Sequence, residues 1–257
     1  MGGIIINPVA FKIGTVSVYW YGIIIALAIA VGYFVARRLG KHFGLEGWVF
    51  DEFMLWVIPA AFIGARLWYV IFNLNYYSLY PGKIFAVWEG GLAIHGGIFA
   101  GVAVALIWTR VKKIKFLRFA DVMSVALILG QAIGRWANYV NQEAYGKPTD
   151  LPWAMYIAGE YRHPTFLYES IWNLFLFFGL YYYLSHRPRS GKVFGLYLAG
   201  YSLGRFFIEA MRTDSLMLGS FRVAQIVSIV MFVAGILVYL WGTTKTTRSG
   251  TIEDTKD

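Results

Sequence analysis

Two stretches of the chain contain the residues best suited to bind a charged substrate. One places four polar residues on a single stripe of a helix, at spacings of 4, 4 and 3: Tyr201, Arg205, Glu209 and Arg212. The other, residues 134–146, combines Arg, Asn, Gln and Glu side chains, and Arg135 and Asn138 share a helix face because they are three residues apart. Two guanidinium groups from different helices would bind a phosphate through paired hydrogen bonds, which lysine does less well. We therefore expect an anionic ligand, with a phospholipid headgroup as the main candidate.

The elements that position these residues are predicted to be membrane helices. Of the 257 residues, 58% are apolar and only 14% are charged, against roughly 25% charged in soluble domains. Seven apolar stretches approach or exceed the length of about 20 residues that a membrane-spanning helix needs: 16–36, 52–72, 91–109, 119–140, 166–185, 193–212 and 221–241. The sequence therefore predicts an all-α integral membrane protein. We expect one seven-helix domain over residues 1–241 and a polar, disordered cytoplasmic tail over residues 242–257.

The Lys and Arg residues predict how these spans are oriented. Of the 23 basic residues, 14 lie in the C-terminal tail and in loops 37–51, 110–118 and 186–192, whereas six lie in the segments on the other side. By the positive-inside rule the N-terminus and the segment 141–165 are then external, and the C-terminus is cytoplasmic. The net charge of +9 is explained by this topology and by contact with anionic membrane lipids. We therefore expect no nucleic-acid partner.

The remaining three basic residues, Arg66, Arg135 and Arg205, fall inside predicted spans. An arginine near the bilayer centre costs roughly 2.5–3.5 kcal/mol on insertion scales, so each must be paired or must face a polar cavity. For Arg66, a structural ion pair is an alternative. Polar residues from six spans all fall toward the external side of the membrane: Tyr21, Arg66, His95, Arg135, Asn138, Glu169 and Glu209. This grouping predicts a polar cavity that opens toward the external leaflet.

Residues 134–146 resemble the signature of the bacterial prolipoprotein diacylglyceryl transferases. The family pattern Gly-Arg-x-Gly/Ala-Asn-Phe-x-Asn-x-Glu-x-x-Gly is matched through Gly146, except that Tyr139 stands where Phe is usual. Four further features fit the family: Trp20-Tyr21-Gly22, Gly90-Gly91 with His95-Gly96-Gly97, Arg162-His163-Pro164 before Leu167-Tyr168-Glu169, and the run 201–212. Thr213-Asp214 lacks the Pro often seen between Arg and Asp. The resemblance covers residues 8–241.

The resemblance implies a multi-pass enzyme of the bacterial plasma membrane. The family transfers the diacylglyceryl group of phosphatidylglycerol to the thiol of the lipobox cysteine in a prolipoprotein signal peptide, the first step of bacterial lipoprotein maturation. The products are a thioether and glycerol 1-phosphate. The implied partners are phosphatidylglycerol, the prolipoprotein and membrane lipids. No metal-ligand spacing and no nucleotide-binding fingerprint is present in the sequence, and the chain has no Cys, so no cofactor and no metal are expected.

Within that reaction we assign roles to the conspicuous residues. Arg135 and Arg205 are expected to bind the phosphate and stabilise the charge on the leaving group. His95 is the only His inside a predicted span, and histidine is the side chain best suited to act as a general base for a thiol near neutral pH. Tyr21 is expected to take part in catalysis by positioning the headgroup. The remaining substrate-binding residues are expected to be Asn138, Glu143, Gly146, Tyr201 and Glu209.

Simpler interpretations stand beside these roles. His95 could pack helices, Tyr21 could belong to an interfacial aromatic belt, and Glu209 could only neutralise Arg205. An alternative function is a transporter or channel for an anion or an anionic lipid, which would predict inverted repeats and broken helices near the membrane midplane. No convincing internal repeat is present in the sequence. An intramembrane peptidase is disfavoured because the spans contain no paired Asp and no metal-ligand His set.

Overall fold

The computed structural model describes residues 7–249, most of which are helical. Within this range seven helices have 18 residues or more: α1 (Trp20–Lys41), α2 (Gly47–Ile71), α4 (Ile94–Val111), α5 (Phe116–Val140), α6 (Thr165–Ser185), α7 (Lys192–Glu209) and α8 (Val223–Ser249). A short helix α3 (Leu74–Leu79) and two 3-10 turns (Pro81–Phe85 and Val87–Glu89) connect α2 to α4. Each predicted span overlaps one long helix.

Five of these helices, α1, α2, α4, α5 and α8, are long and apolar enough to cross a membrane. The protein is therefore a multi-pass membrane protein. Helices α6 and α7 have 21 and 18 residues and contain the charged residues Glu169, Arg205 and Glu209, which lower their apolar character. The count of seven spans and the external N-terminus stay predictions.

Three antiparallel hairpins add strands to the predicted all-α fold: β1 (Val9–Ile13) with β2 (Val16–Tyr19), β3 (Met155–Ile157) with β4 (Glu160–Arg162), and β5 (Met217–Leu218) with β6 (Phe221–Arg222). The predicted first span, 16–36, was wrong at its start, because β2 precedes α1. The predicted last span, 221–241, was wrong in the same way, because β6 precedes α8. Strands of two to four residues at the start of a helix do not separate themselves from its apolar run, so they hide the boundary.

The C-terminal boundary also differs from the prediction. Helix α8 continues to Ser249, beyond Trp241, where the apolar run ends. The cytoplasmic, disordered tail predicted over residues 242–257 stays a prediction, and its residues 250–257 lie outside the described part of the chain.

The chain divides into two compact units, and one of them comprises Arg37–Phe119. In this unit α2 and α4 approach closely at two glycines, since a Cβ on Gly64 would lie 2.6 Å from the carbonyl oxygen of Gly96. Small residues permit such close backbone approach between membrane helices. Three aromatic side chains fill the other end of the unit, where Phe53 packs edge-on against Phe119 and also contacts Trp108.

The other unit comprises the residues up to Ala36 and those from Ala120 onward, and it contains α6, α7 and α8. Helix α7 begins after Gly191, which has a left-handed backbone and no side chain to cap the helix. Asp121 of α5 replaces the missing cap, because its carboxylate accepts hydrogen bonds from the backbone N–H groups of Gly191 (2.6 Å) and Phe194 (2.8 Å). Asp121 is buried. Its negative charge also suits the positive end of the helix dipole.

Replacing Asp121 by Ala is expected to lower the stability of the protein by about 1–3 kcal/mol, because two buried N–H donors lose a charged acceptor. The thermal unfolding midpoint in detergent micelles measures this loss. Asp150→Ala is the matched control, since Asp150 is exposed in a loop of the same unit and its loss should leave the midpoint nearly unchanged. Equal midpoints for the two variants would contradict the proposed capping role.

Candidate active site

The centre of the candidate site is one buried carboxylate between two arginines from neighbouring helices. Glu169, near the start of α6, is only 4% exposed. Its Oε2 lies 2.5 Å from Nη2 of Arg135 on α5, and its Oε1 lies 2.5 Å from Nη1 of Arg205 on α7. The arginine side chains are 20% and 18% exposed. Because each guanidinium has five N–H donors, both keep donors for a second anion.

Glu209 and Arg212 complete a network of five charged side chains. Glu209, the last residue of α7, is 2% exposed and lies 2.6 Å from Nη2 of Arg205. Arg212 follows it and lies 3.8 Å from Glu209 and 4.0 Å from Glu169. Asp214, 2.8 Å from Nη2 of Arg212, adds a third carboxylate, so the charges of the three arginines are balanced. A ligand anion would therefore be bound by the N–H donors that the guanidinium groups do not use for these carboxylates.

Four of the residues predicted from the sequence lie around Arg135. The side-chain oxygen of Asn138 faces Nη1 of Arg135 at 3.5 Å, and its amide donates to Glu143 at 2.8 Å. The hydroxyl of Tyr201 lies 3.4 Å from Nη2 of Arg135. Tyr21 lies within electrostatic range of both Arg135 and Glu143. The structure thus brings Tyr21, Asn138, Glu143 and Tyr201 together around Arg135.

The segment after α5 turns back sharply, and this turn sets the position of Glu143. Gln142 and Ala144 have left-handed backbones, and the N–H of Glu143 donates to the carbonyl of Asn138 at 3.0 Å. Gly146 is buried, and a Cβ there would lie 2.6 Å from Cβ of His163. The close packing explains why Gly stands at the end of the signature. The role of Gly146 in substrate binding stays a prediction.

The loop after α7 holds Arg212 in place. Asp214 accepts two hydrogen bonds from Arg212, at 2.9 and 2.8 Å. Burial alone would raise the pKa of Asp214, but the hydrogen bonds and the charge of Arg212 outweigh it and keep this pKa below its ordinary value. Arg222 donates to the backbone carbonyl oxygens of Glu209 and Arg212 at the end of the helix. The end of α7 is therefore fixed from two sides.

Two further residues singled out in the sequence, His95 and Arg66, lie in the unit Arg37–Phe119. His95 is the second residue of α4, and its side chain is exposed. Its role as general base stays a prediction. Arg66 was expected to need an ion pair or a polar cavity, but backbone carbonyl oxygens surround its guanidinium group instead.

The role of Glu169 was missed in the sequence. Its position in the external half of a span was noted, and the motif Leu167-Tyr168-Glu169 was part of the resemblance, yet no partner was assigned to it. The available signal was the charge of Glu169. Arg135 and Arg205 lie in the predicted spans before and after it and need a buried anion, and few acidic residues lie in the external half of the spans. The sequence does not give the rotation of α6 about its axis, and only the structure shows that Glu169 binds both arginines.

The comparisons with known proteins agree with the signature in residues 134–146. The sequence profile described as "Prolipoprotein diacylglyceryl transferase" matches residues 8–241. Proteins named phosphatidylglycerol–prolipoprotein diacylglyceryl transferase are 46% identical in Fervidobacterium nodosum, 44% in Bacillus velezensis and 43% in Trichormus variabilis. The alignments cover 93%, 92% and 91% of this chain and 86%, 92% and 89% of the respective relatives. The chain therefore belongs to the prolipoprotein diacylglyceryl transferase family.

Proposed function

We propose that this protein transfers the diacylglyceryl group of phosphatidylglycerol to the lipobox cysteine of prolipoprotein signal peptides. The observation that carries the proposal is the pair of guanidinium groups of Arg135 and Arg205 held by the buried carboxylate of Glu169. A phosphodiester is a suitable second ligand for this pair, because it offers several oxygens to planar, doubly donating groups. Family membership supplies the reaction that such a phosphate site would serve.

The chemistry makes two demands on the site. The thiolate of the lipobox cysteine attacks the glycerol carbon that is esterified to phosphate, a C–S bond forms, and the C–O bond to the phosphate breaks with its electron pair. Glycerol 1-phosphate leaves with additional negative charge on its phosphate oxygens. Arg135 and Arg205 would stabilise that charge, an effect that is largest where water is excluded. Asn138, Tyr201 and Tyr21 would orient the headgroup, and Glu143 and Glu209 would orient Asn138 and Arg205 through their observed contacts.

The thiol proton needs an acceptor, and we assign this role to His95. A cysteine thiol has an ordinary pKa near 8.5, so a neutral imidazole can take its proton as the sulfur attacks. The exposed side chain of His95 at the start of α4 leaves the ring nitrogens open to a substrate.

His95→Gln is expected to lower kcat by about 10²- to 10⁴-fold, the usual contribution of a positioned general base. His42→Gln is the matched control, because His42 is an exposed histidine in the loop between α1 and α2. Initial rates of peptide modification at saturating phosphatidylglycerol compare the two variants. Near-normal turnover by His95→Gln would move the base to Glu143 or to a water molecule.

The same proposal includes the placement of the protein. Seven spans with an external N-terminus, as the basic loops predict, put the arginine network toward the external leaflet of the inner membrane. The segment 141–165, which contains the β3–β4 hairpin, would then lie on the external membrane surface. A lipobox cysteine emerging from the membrane would reach the network from this side.

Reconstitution tests the proposal directly. The purified protein is placed in phosphatidylglycerol vesicles with a lipobox peptide, and peptide mass and released glycerol phosphate are measured. A diacylglyceryl mass increment with an equal amount of glycerol phosphate, both lost in Arg135→Ala, is the expected result. Absence of both products, under conditions where a known transferase is active, would reject the proposal and favour an anion or lipid transporter.

A further inference from the structure

Arg66 is a buried cation in α2 with an unusual set of partners. It is 7% exposed, and its guanidinium group donates to five backbone carbonyl oxygens. Nε binds Ile84 at 2.8 Å, Nη1 binds Gly90 and Gly91 at 2.7 and 2.8 Å, and Nη2 binds Lys83 and Ala86 at 2.7 and 3.4 Å. A guanidinium group has five N–H donors. All five are therefore used within the protein, which leaves none for a substrate phosphate.

The five carbonyl groups belong to the segment 83–91, which leads directly into α4. This segment contains 3-10 turns, whose hydrogen bonds have poorer geometry than those of an α-helix. It is closed by an ion pair between Lys83 and Glu89. Two residues after Gly91, the N–H of Ala93 donates to the carbonyl of Ala65 in α2 at 3.0 Å. Arg66 thus holds the segment 83–91 in place, and its neighbour Ala65 holds Ala93, the residue just before α4.

The surroundings of Arg66 are shaped to keep it there. The ring of Tyr77 lies 5.4 Å from its guanidinium carbon, in a cation–π arrangement. Gly91 has a φ of +77°, and a Cβ at this position would lie 2.5 Å from Nη1 of Arg66 and 2.8 Å from the ring of Tyr69. Only Gly fits, because both the backbone conformation and the space exclude a side chain. Lysine could not replace Arg66, since an ammonium group has three donors and no planar fork.

We propose that Arg66 is a positioning residue that acts through His95. By binding the carbonyl groups of residues 83–91 it fixes the entry into α4, and His95 is the second residue of that helix. The inference rests on the proposed role of His95 as general base. It predicts that Arg66 affects the rate of the chemical step and not the binding of phosphatidylglycerol.

A spin label tests the structural part without reference to activity. The chain has no Cys, so Trp88→Cys, at a position that is 80% exposed, gives one labelling site within the segment. The label is expected to become clearly more mobile in Arg66→Lys and to stay unchanged in Arg110→Lys, which alters an exposed arginine at the other end of α4. Unchanged mobility in Arg66→Lys would overturn the proposal, whether or not the protein transfers lipid.

Kinetics test the link to His95. Arg66→Lys is expected to lower kcat by about 10- to 100-fold, as small misplacements of a reacting group do, with an unchanged KM for phosphatidylglycerol. A raised KM with unchanged kcat would identify Arg66 as a phosphate ligand and overturn the proposal. A mobile label with normal kcat would also overturn it. Absence of transfer by the unmodified protein would instead reject the proposed function.

Two glycines in the connection between α2 and α4 provide a matched pair. Gly91→Ala should reproduce the effects of Arg66→Lys, because its Cβ displaces the guanidinium group. Gly82→Ala should have no effect, since a Cβ at Gly82 meets no atom within 4 Å. Because Gly91→Ala and Arg66→Lys break the same contact, the double variant should be about as slow as either single one. Additive losses would show that the two residues act separately and would contradict the proposal.

Discussion

Replacing Arg135 by Lys is expected to lower kcat for diacylglyceryl transfer by about 10²-fold, the loss typical of removing one donor to a developing oxyanion. The positive charge is retained in this variant, but the planar fork is lost. In the native protein Nη2 of Arg135 binds Glu169 at 2.5 Å, and the only other polar contacts of Arg135 among residues 7–249 are long ones to Asn138 and Tyr201, at 3.5 and 3.4 Å. An ammonium group bound to Glu169 would have fewer and less directed donors for the phosphate.

Arg118→Lys is the matched control for this prediction, because Arg118 is exposed near the start of the same helix, α5. Rates of glycerol phosphate release are measured over a range of phosphatidylglycerol fractions in vesicles, so that kcat and KM are separated. A variant affected only in KM would place Arg135 in substrate binding without a role in the transition state. Full activity in Arg135→Lys would show that paired hydrogen bonding by a guanidinium group is not required.

The main features of the site could be predicted because a charged residue inside a membrane must be compensated. Arg135 and Arg205 were conspicuous in apolar runs, and the spacing of four residues indicated the Arg205–Glu209 pair that lies at 2.6 Å. The helices themselves followed from the length of the apolar runs. These inferences need only the local sequence and the energetic cost of a charge in lipid.

The partners of Arg66 and Glu169 could not be predicted, because each depends on how separate helices are rotated and connected. Glu169 binds arginines 34 residues before it and 36 residues after it in the chain. Arg66 binds carbonyl groups, which every residue has, so no side-chain pattern indicates them. The three hairpins were missed because strands of two to five residues are too short to show a clear alternating pattern.

Replacing Glu169 by Gln is expected to cost about 3–5 kcal/mol of stability, because removing one partner of a buried ion pair leaves an uncompensated charge. Arg205 keeps Glu209, but Arg135 loses the carboxylate at 2.5 Å. Thermal unfolding in detergent measures the loss. Glu160→Gln is the control, since Glu160 forms an Arg–Glu pair of similar length, 2.7 Å, with a carboxylate that is 56% exposed. Exposed pairs contribute about 0–1 kcal/mol, so this control should change little.

A second substitution separates the structural role of Glu169 from its role at the site. In the double variant Arg135→Gln/Glu169→Gln the uncompensated charge is removed together with its partner, while the Arg205–Glu209 pair is retained. Stability should return toward that of the native protein, because replacing both members of a buried ion pair by uncharged residues leaves no unpaired charge. Activity should stay low, because one of the two phosphate-binding groups is gone. Recovery of both stability and transfer would mean that Arg135 serves only to balance Glu169, and the phosphate site would have to be sought around Arg205 and Arg212.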